Sequence, residues 1–411
     1  MIEAAKTVKD ASLMLDPQRP ALDPKRAAEF KHYYIQRGHT ESNLSTAIQR
    51  AAQEKTKFNW FYTGHTGSGK STELNRILSF PEVKDNFNSF YINLVDEYGQ
   101  GMPVFSDIIL SMAKAATKTK GIKIKKEMVE FIGNFTKEVL TENSIVTETK
   151  GRAGVKVSIP FVKLGEEIKS GGMKSKIIRD KMYNDITQFI RLIDETTDAI
   201  QASTGKQVLF IIDGLDHFDF DPCFKMFNDH LNTLLRPKAS SLYVIPLALV
   251  NTPLAATIQG NYSILPNIKV YQNPALKDLD GQGLEFYKKL VGGYAEMELF
   301  ESGVMESLFE LSAGILRDMI RHTGNACIYA AAENKEKVEM IHVEKVWDEE
   351  KAFFRRILSS SDFEVLKKIQ SEPCPKGLDG VSNLIFRKAI IYYPNGEGWY
   401  GVHPAIQKIL S

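Results

Sequence analysis

Apolar residues fall into two recurring patterns along the chain. Short continuous runs, each stopped by glycine, asparagine or aspartate, have the character of strands buried on both faces of a parallel sheet. Phe58-Asn59-Trp60-Phe61-Tyr62 runs into glycine-rich sequence, Ser89–Leu94 ends before Asp96-Glu97, Val208–Ile212 ends at Asp213, and Leu242–Val250 ends at Asn251-Thr252-Pro253. Between them, apolar residues spaced by three and four predict helices over Glu41–Gln53, Lys70–Leu78, Pro103–Thr117 and Tyr183–Ala199. Strands alternating with helices predict an α/β fold, a doubly wound parallel sheet.

The pattern divides the chain further. Residues 1–40, with Pro17, Pro20 and Pro24, read as an irregular lead-in to a core over 41–279. Within the core, 118–178 reads as an insertion: a basic stretch, Lys118–Lys126, then alternation from Ile145 to Val162 around Gly151 and Gly154, which predicts a β-hairpin. Residues 280–339 turn helical, as Leu284–Leu290, Met305–Leu311 and Leu316–Ala332, and form a lid. Over 340–411, two helices precede a strand at Arg387–Tyr393, a turn at Pro394-Asn395-Gly396 and a strand at Gly398–Val402, the layout of a small winged-helix domain.

Composition narrows the class. Among 411 residues, 52 Lys and Arg balance 51 Asp and Glu, so no global field recruits nucleic acid or an anionic membrane. Cys223, Cys327 and Cys374 lie far apart, without ligand spacing, which fits a reducing compartment and no zinc site. The N-terminus lacks an apolar leader, and no stretch approaches a membrane span; the expectation is a cytoplasmic protein without membrane contact.

The chemistry concentrates in Gly64-His65-Thr66-Gly67-Ser68-Gly69-Lys70-Ser71, with Thr72 following, placed between a strand and a helix. Glycines let such a loop wrap closely and aim backbone N–H groups at phosphate oxygens, and the helix N-terminus adds its positive end. Lys70 then reaches the β- and γ-phosphates of ATP, and Ser71 offers a hydroxyl to Mg²⁺. Lys70 is expected to face solvent in the empty site, so that its removal leaves the fold intact. Asp213, at the end of a buried strand, is the expected second Mg²⁺ residue. Gly214 stands where a catalytic glutamate is usual, so Asp216 becomes the candidate for polarising water, or else a helix cap. Asn251 is the candidate for orienting that water, with Thr252 and plain turn chemistry as alternatives. Arg317, after the break at Ser312-Ala313-Gly314-Ile315, is a candidate sensor of the γ-phosphate, with Arg321 one turn on.

Together, Thr63–Leu74, Ile211–Asp216 and Ser312–Asp318 resemble the STAND and AAA-like bacterial ATPases, which are similar to origin-recognition-type initiators in having a P-loop core, a helical lid and a winged helix. The resemblance runs from about residue 15 to the end, taking in Arg37-Gly38 and Trp399–Pro404. It implies a nucleotide-dependent switch, often encoded beside effectors in anti-phage systems. It also implies that Arg317 senses γ-phosphate, that Arg37 joins the nucleotide contacts, and that His403 approaches the β-phosphate as a latch. No sensor repeat or effector domain is visible, which implies a separately encoded effector and a homo-oligomer in the ATP state. The competing expectation is a DNA-binding or DNA-loading ATPase; nucleic acid is not favoured, because basic residues near the C-terminus are offset by acidic ones.

Overall fold

The computed structural model describes residues 2–37, 43–99, 101–140, 153–273, 278–371, 380–393 and 399–411. Five strands, β1 (Asn59–Gly64), β2 (Phe87–Asn93), β3 (Gln207–Asp213), β4 (Ser240–Pro246) and β5 (Tyr262–Ile264), pair in the order β2-β3-β4-β1-β5, every neighbour parallel. The uninterrupted apolar runs have a simple cause: both faces of the sheet are covered. Trp60, Tyr62, Leu209, Ile211, Leu242 and Val244 face one core, shared with Leu44 and Ile48 of the Asn43–Glu54 helix and Leu74 and Ile77 of the Lys70–Leu78 helix. Phe61, Val208, Phe210, Ile212, Tyr243 and Ile245 face the other, against the helices Phe105–Thr117, Gly172–Thr204 and Phe220–Leu234. Each such side chain, fully buried, contributes about 1.5–3 kcal/mol. The α/β, doubly wound parallel reading therefore holds.

Several expectations change. The lead-in contains two helices, Val8–Met14 and Ala27–Tyr33. Thr7 caps the first, its hydroxyl accepting from the Asp10 amide at 3.1 Å. The three prolines fall between the helices and therefore break neither. The Val8–Met14 helix packs on Leu316–Ala332, where Gly324 lets the Leu15 carbonyl approach: a Cβ there would sit 2.8 Å from it.

The hairpin read over Ile145–Val162 is corrected. From Ala153 the chain is helical to Ser170, and Phe161, Leu164 and Ile168 are buried at three- and four-residue spacing. Alternation across a short apolar run was outweighed by the helical period that follows it. Where described, the stretch 118–178 is irregular over 118–125 and then helical, as Lys126–Leu140, Ala153–Ser170 and the start of the 33-residue Gly172–Thr204 helix.

β4 also stops earlier than expected. Pro246 has no N–H to continue the ladder, and the chain turns into a 3₁₀ helix over Leu247–Asn251. The C-terminal stretch runs through helices Met340–Ile357, Ser360–Ser371 and Val381–Phe386, an antiparallel hairpin of Ile390–Tyr393 with Trp399–Val402, and a last helix, Pro404–Leu410, that was not foreseen. Gly38, Glu41, residues 145–152, Cys374 and the turn at 394–398 lie outside the described residues. Among the described residues no helix is long and apolar enough to cross a membrane.

Candidate phosphate-binding site

The sheet presents its carboxyl ends to one crevice, the usual ligand position in such folds. β1 ends in the glycine-rich loop and β3 ends in Asp213, with β4 between them. Gly69 opens the Lys70–Leu78 helix in the left-handed region. Gly67 holds φ +91°, and a Cβ on it would lie 2.8 Å from Cβ of Arg317, so only glycine lets the Leu316–Ala332 helix pack here. The amide of Arg317 donates to the Gly67 carbonyl at 3.1 Å.

Lys70 does not face solvent. It is 4% exposed; its Nζ donates to the carbonyls of Gly64 at 2.9 Å and His65 at 3.0 Å, and pairs with Oδ2 of Asp216 at 2.7 Å. Burial pushes the Asp216 carboxyl up, but Lys70 and His217 hold it below its ordinary value. Ser71 donates to Oδ2 of Asp213 at 2.8 Å, and the Gly214 amide donates to Oδ1 at 2.8 Å. Burial, then the neighbouring Asp216, raises the Asp213 carboxyl.

One further donor on Asp213 escaped the sequence reading. Tyr91, on β2, hydrogen-bonds the same Oδ2 through its phenol. The pairing explains the reach: Tyr91 stands beside Ile211 and Asn93 beside Asp213. The available signal was the polar side chains alternating through Ser89-Phe90-Tyr91-Ile92-Asn93, which marks one face of this strand as not apolar.

The remaining residues divide. Thr66 donates to the Asp216 carbonyl at 3.1 Å, joining the loop to the turn after β3. Ser68 is buried, and its hydroxyl has no hydrogen-bond partner among the described residues. Thr72 is taken by the lead-in, its hydroxyl accepting from the Leu22 amide at 3.2 Å. Arg37 is buried against the loop, donating to the Pro266 carbonyl at 2.9 Å and to the Ser68 carbonyl. Arg317 keeps an exposed guanidinium without a hydrogen-bond or ion-pair partner among the described residues, lining a cleft of about 1310 Å³ with Ser71, Tyr91, Asp213 and His217. Arg321 is turned into a network with Glu350 and Asp318 instead.

Two candidates are occupied elsewhere. Asn251 closes the 3₁₀ turn and accepts from the Tyr400 hydroxyl of the C-terminal hairpin. His403 caps the last helix, its Nδ1 accepting from the Ala405 amide at 3.2 Å, with its ring 4.8 Å from that of Phe354. Burial pushes its pKa down to about 4. The histidine that joins the loop to the C-terminal hairpin is His65: its Nε2 accepts from the Tyr392 amide at 3.0 Å. Burial, with Lys388 and Lys70 nearby, pushes His65 down to about 3, so the ring is neutral and able to accept.

The donor set fits a polyphosphate with Mg²⁺. One hydroxyl and one carboxylate are hard oxygen ligands of the kind Mg²⁺ takes together with phosphates and water. Among the described residues no group of three His, Cys, Asp or Glu forms an all-protein metal cage.

No protein-family model matches the chain, and no curated protein matches it. Solved structures of similar chain course include a Drosophila ORC bound to DNA, at 12% identity over 99% of this chain and 92% of that one, with a TM-score of 0.41. Another is CDC6P from Pyrobaculum aerophilum, at 12% identity over 98% and 97%, with a TM-score of 0.43. A third is the Walker-type ATPase paby2304 of Pyrococcus abyssi, at 12% identity over 97% and 99%, with a TM-score of 0.44. Likenesses this distant say nothing of what the chain binds, and the reading of the site rests on its own residues.

Proposed function

We propose that this chain is an ATP-binding, slowly hydrolysing switch whose nucleotide state sets the docking of its lid and C-terminal hairpin. The observation that carries the proposal is that separate parts of the chain grip one phosphate loop: the lid through Arg317 on Gly67, and the hairpin through Tyr392 on His65. Whatever rearranges the loop is felt by both. Arg317 supplies a free cation in the cleft that Ser71 and Asp213 also line, and in this reading it distinguishes ATP from ADP by the extra charge.

In this reading Gly64–Ser71 cradle the phosphates, while Ser71 and Asp213 hold Mg²⁺. Mg²⁺, when bound, draws charge from the β- and γ-phosphates. Lys70 leaves Asp216 for the phosphates, and the released Asp216 carboxylate accepts from the attacking water. Asn251 is too committed to Tyr400 to share that task without moving. The output passes to a separately encoded effector through assembly in the ATP state, as the resemblance to STAND ATPases of defence systems implies. The test is calorimetric ATP binding with and without Mg²⁺, together with limited proteolysis of the C-terminal part in ATP, in ADP and without nucleotide. Binding without any difference in protection rejects the switch; no binding rejects the ATP reading altogether.

A second reading rests on a cleft of about 870 Å³ beside the hairpin, where Arg355, Arg356 and Arg387 are exposed next to Phe353. A basic face with an aromatic residue suits nucleic acid. Steeply salt-dependent DNA binding, lost in Arg355→Ala/Arg356→Ala, would favour this alternative.

A further inference from the structure

Asp213 is more fully engaged than a waiting metal ligand needs to be. Its Oδ1 takes the Gly214 amide, and its Oδ2 takes both Ser71 and Tyr91, in a residue only 5% exposed. A carboxylate offers about four acceptor positions, so little of this one is left to a cation or its water. The two hydroxyls differ in what they can do next. Ser71 opens the Lys70–Leu78 helix directly under the phosphate loop, and its oxygen can ligate a cation while its proton stays on Asp213. Tyr91 comes from β2, an edge strand of the sheet. Tyr91 as a residue is 42% exposed, lines the cleft, and its ring has no aromatic partner among the described residues. A ring so placed can turn outward without leaving a packed cavity.

We propose that Tyr91 is a gate on the metal-holding carboxylate: its phenol covers the Asp213 oxygen that Mg²⁺ needs, and it swings into the cleft before the cation is held. Tyr91 is thus a positioning residue that sets how much Mg²⁺ the site requires. This inference rests on the ATP reading above.

The test uses the full chain and a fluorescent ATP analogue, with binding measured as Mg²⁺ rises from an EDTA-buffered start. Tyr91→Phe keeps the ring and loses the hydrogen bond. Since a hydrogen bond to a charged group is at stake, half-saturating Mg²⁺ should fall by roughly tenfold, with Mg²⁺-free nucleotide affinity unchanged. Asp213→Asn in the same assay should raise the Mg²⁺ requirement. An unchanged or higher requirement in Tyr91→Phe overturns the gate and leaves the ATP reading standing. A wild-type chain that binds no nucleotide overturns both.

Discussion

Replacing Lys70 should weaken the protein itself as well as its nucleotide binding. Lys70 and Asp216 are 4% and 5% exposed and 2.7 Å apart. Breaking such a pair from one side strands a buried charge, which costs about 3–5 kcal/mol. A second route gives a similar ceiling. The stranded Asp216 can take up a proton, and for a carboxyl with an ordinary pKa near 3.9 that costs about 4 kcal/mol at pH 7. Lys70→Met should therefore lose about 3–4 kcal/mol at pH 7. The deficit should shrink by about 1.4 kcal/mol for each pH unit down to 5, as protonation becomes easier. Lys70→Met/Asp216→Asn, with no stranded charge, should recover most of it, because a buried pair is worth little against neutral groups of similar size. Urea unfolding followed by tryptophan fluorescence suits the question, since Trp60 lies on β1, four residues before the loop. A Lys70→Met protein within 1 kcal/mol of wild type, or a double variant no more stable than the single one, would refute the buried pair.

Other outcomes follow from the same contacts. His65 is neutral when docked, with its pKa at about 3 against about 6.5 when free, so docking of the hairpin is fully favoured above pH ~6.5 and weakens by up to about 1.4 kcal/mol per unit as pH falls toward 3. Hydrogen exchange at the Tyr392 amide, corrected for its intrinsic pH dependence, should show this, and His65→Gln should flatten it; an equal slope in that variant rules His65 out. Arg317→Ala should erase the difference between ATP and ADP in protease protection while leaving ADP affinity within a few-fold; a persisting difference moves the sensor elsewhere. Gly314→Ala should be among the more damaging single changes, because φ is +80° and the new Cβ would meet the Ile268 carbonyl at 2.0 Å; thermal unfolding within a degree of wild type would contradict that geometry.

The sheet was legible because its strands obey one rule along their whole length. Val208–Ile212 and Leu242–Ile245 are apolar without a break, and only burial on both faces makes that tolerable. The glycine-rich turn between β1 and the Lys70–Leu78 helix was equally legible, since Gly67 and Gly69 take left-handed conformations that the spacing of glycines announces, whereas the burial of Lys70 against Asp216 was not. What stayed hidden depended on partners distant in sequence. Nothing near Tyr91 says that it reaches Asp213, 122 positions on. His403 looked free because a helix cap is visible only once Pro404–Leu410 is known to be helical. The hairpin expected at Ile145–Val162 failed for another reason: a short alternating run cannot be told from one edge of a helix until the spacing beyond it, at Phe161, Leu164 and Ile168, is weighed.

The contact between His65 and Tyr392 joins residues 327 positions apart, and this orders events during synthesis. All five strands are made by Ile264, so the sheet and its loop can assemble while the hairpin does not yet exist. At ~5–20 residues per second, the clamp arrives on the order of ten seconds later. Each newly made chain thus passes through an interval in which its phosphate loop is formed but unrestrained. On the ATP reading proposed above, a nucleotide met in that interval would bind before the C-terminal hairpin closes over the loop, so the first state of each molecule would be set by what the nascent chain encounters.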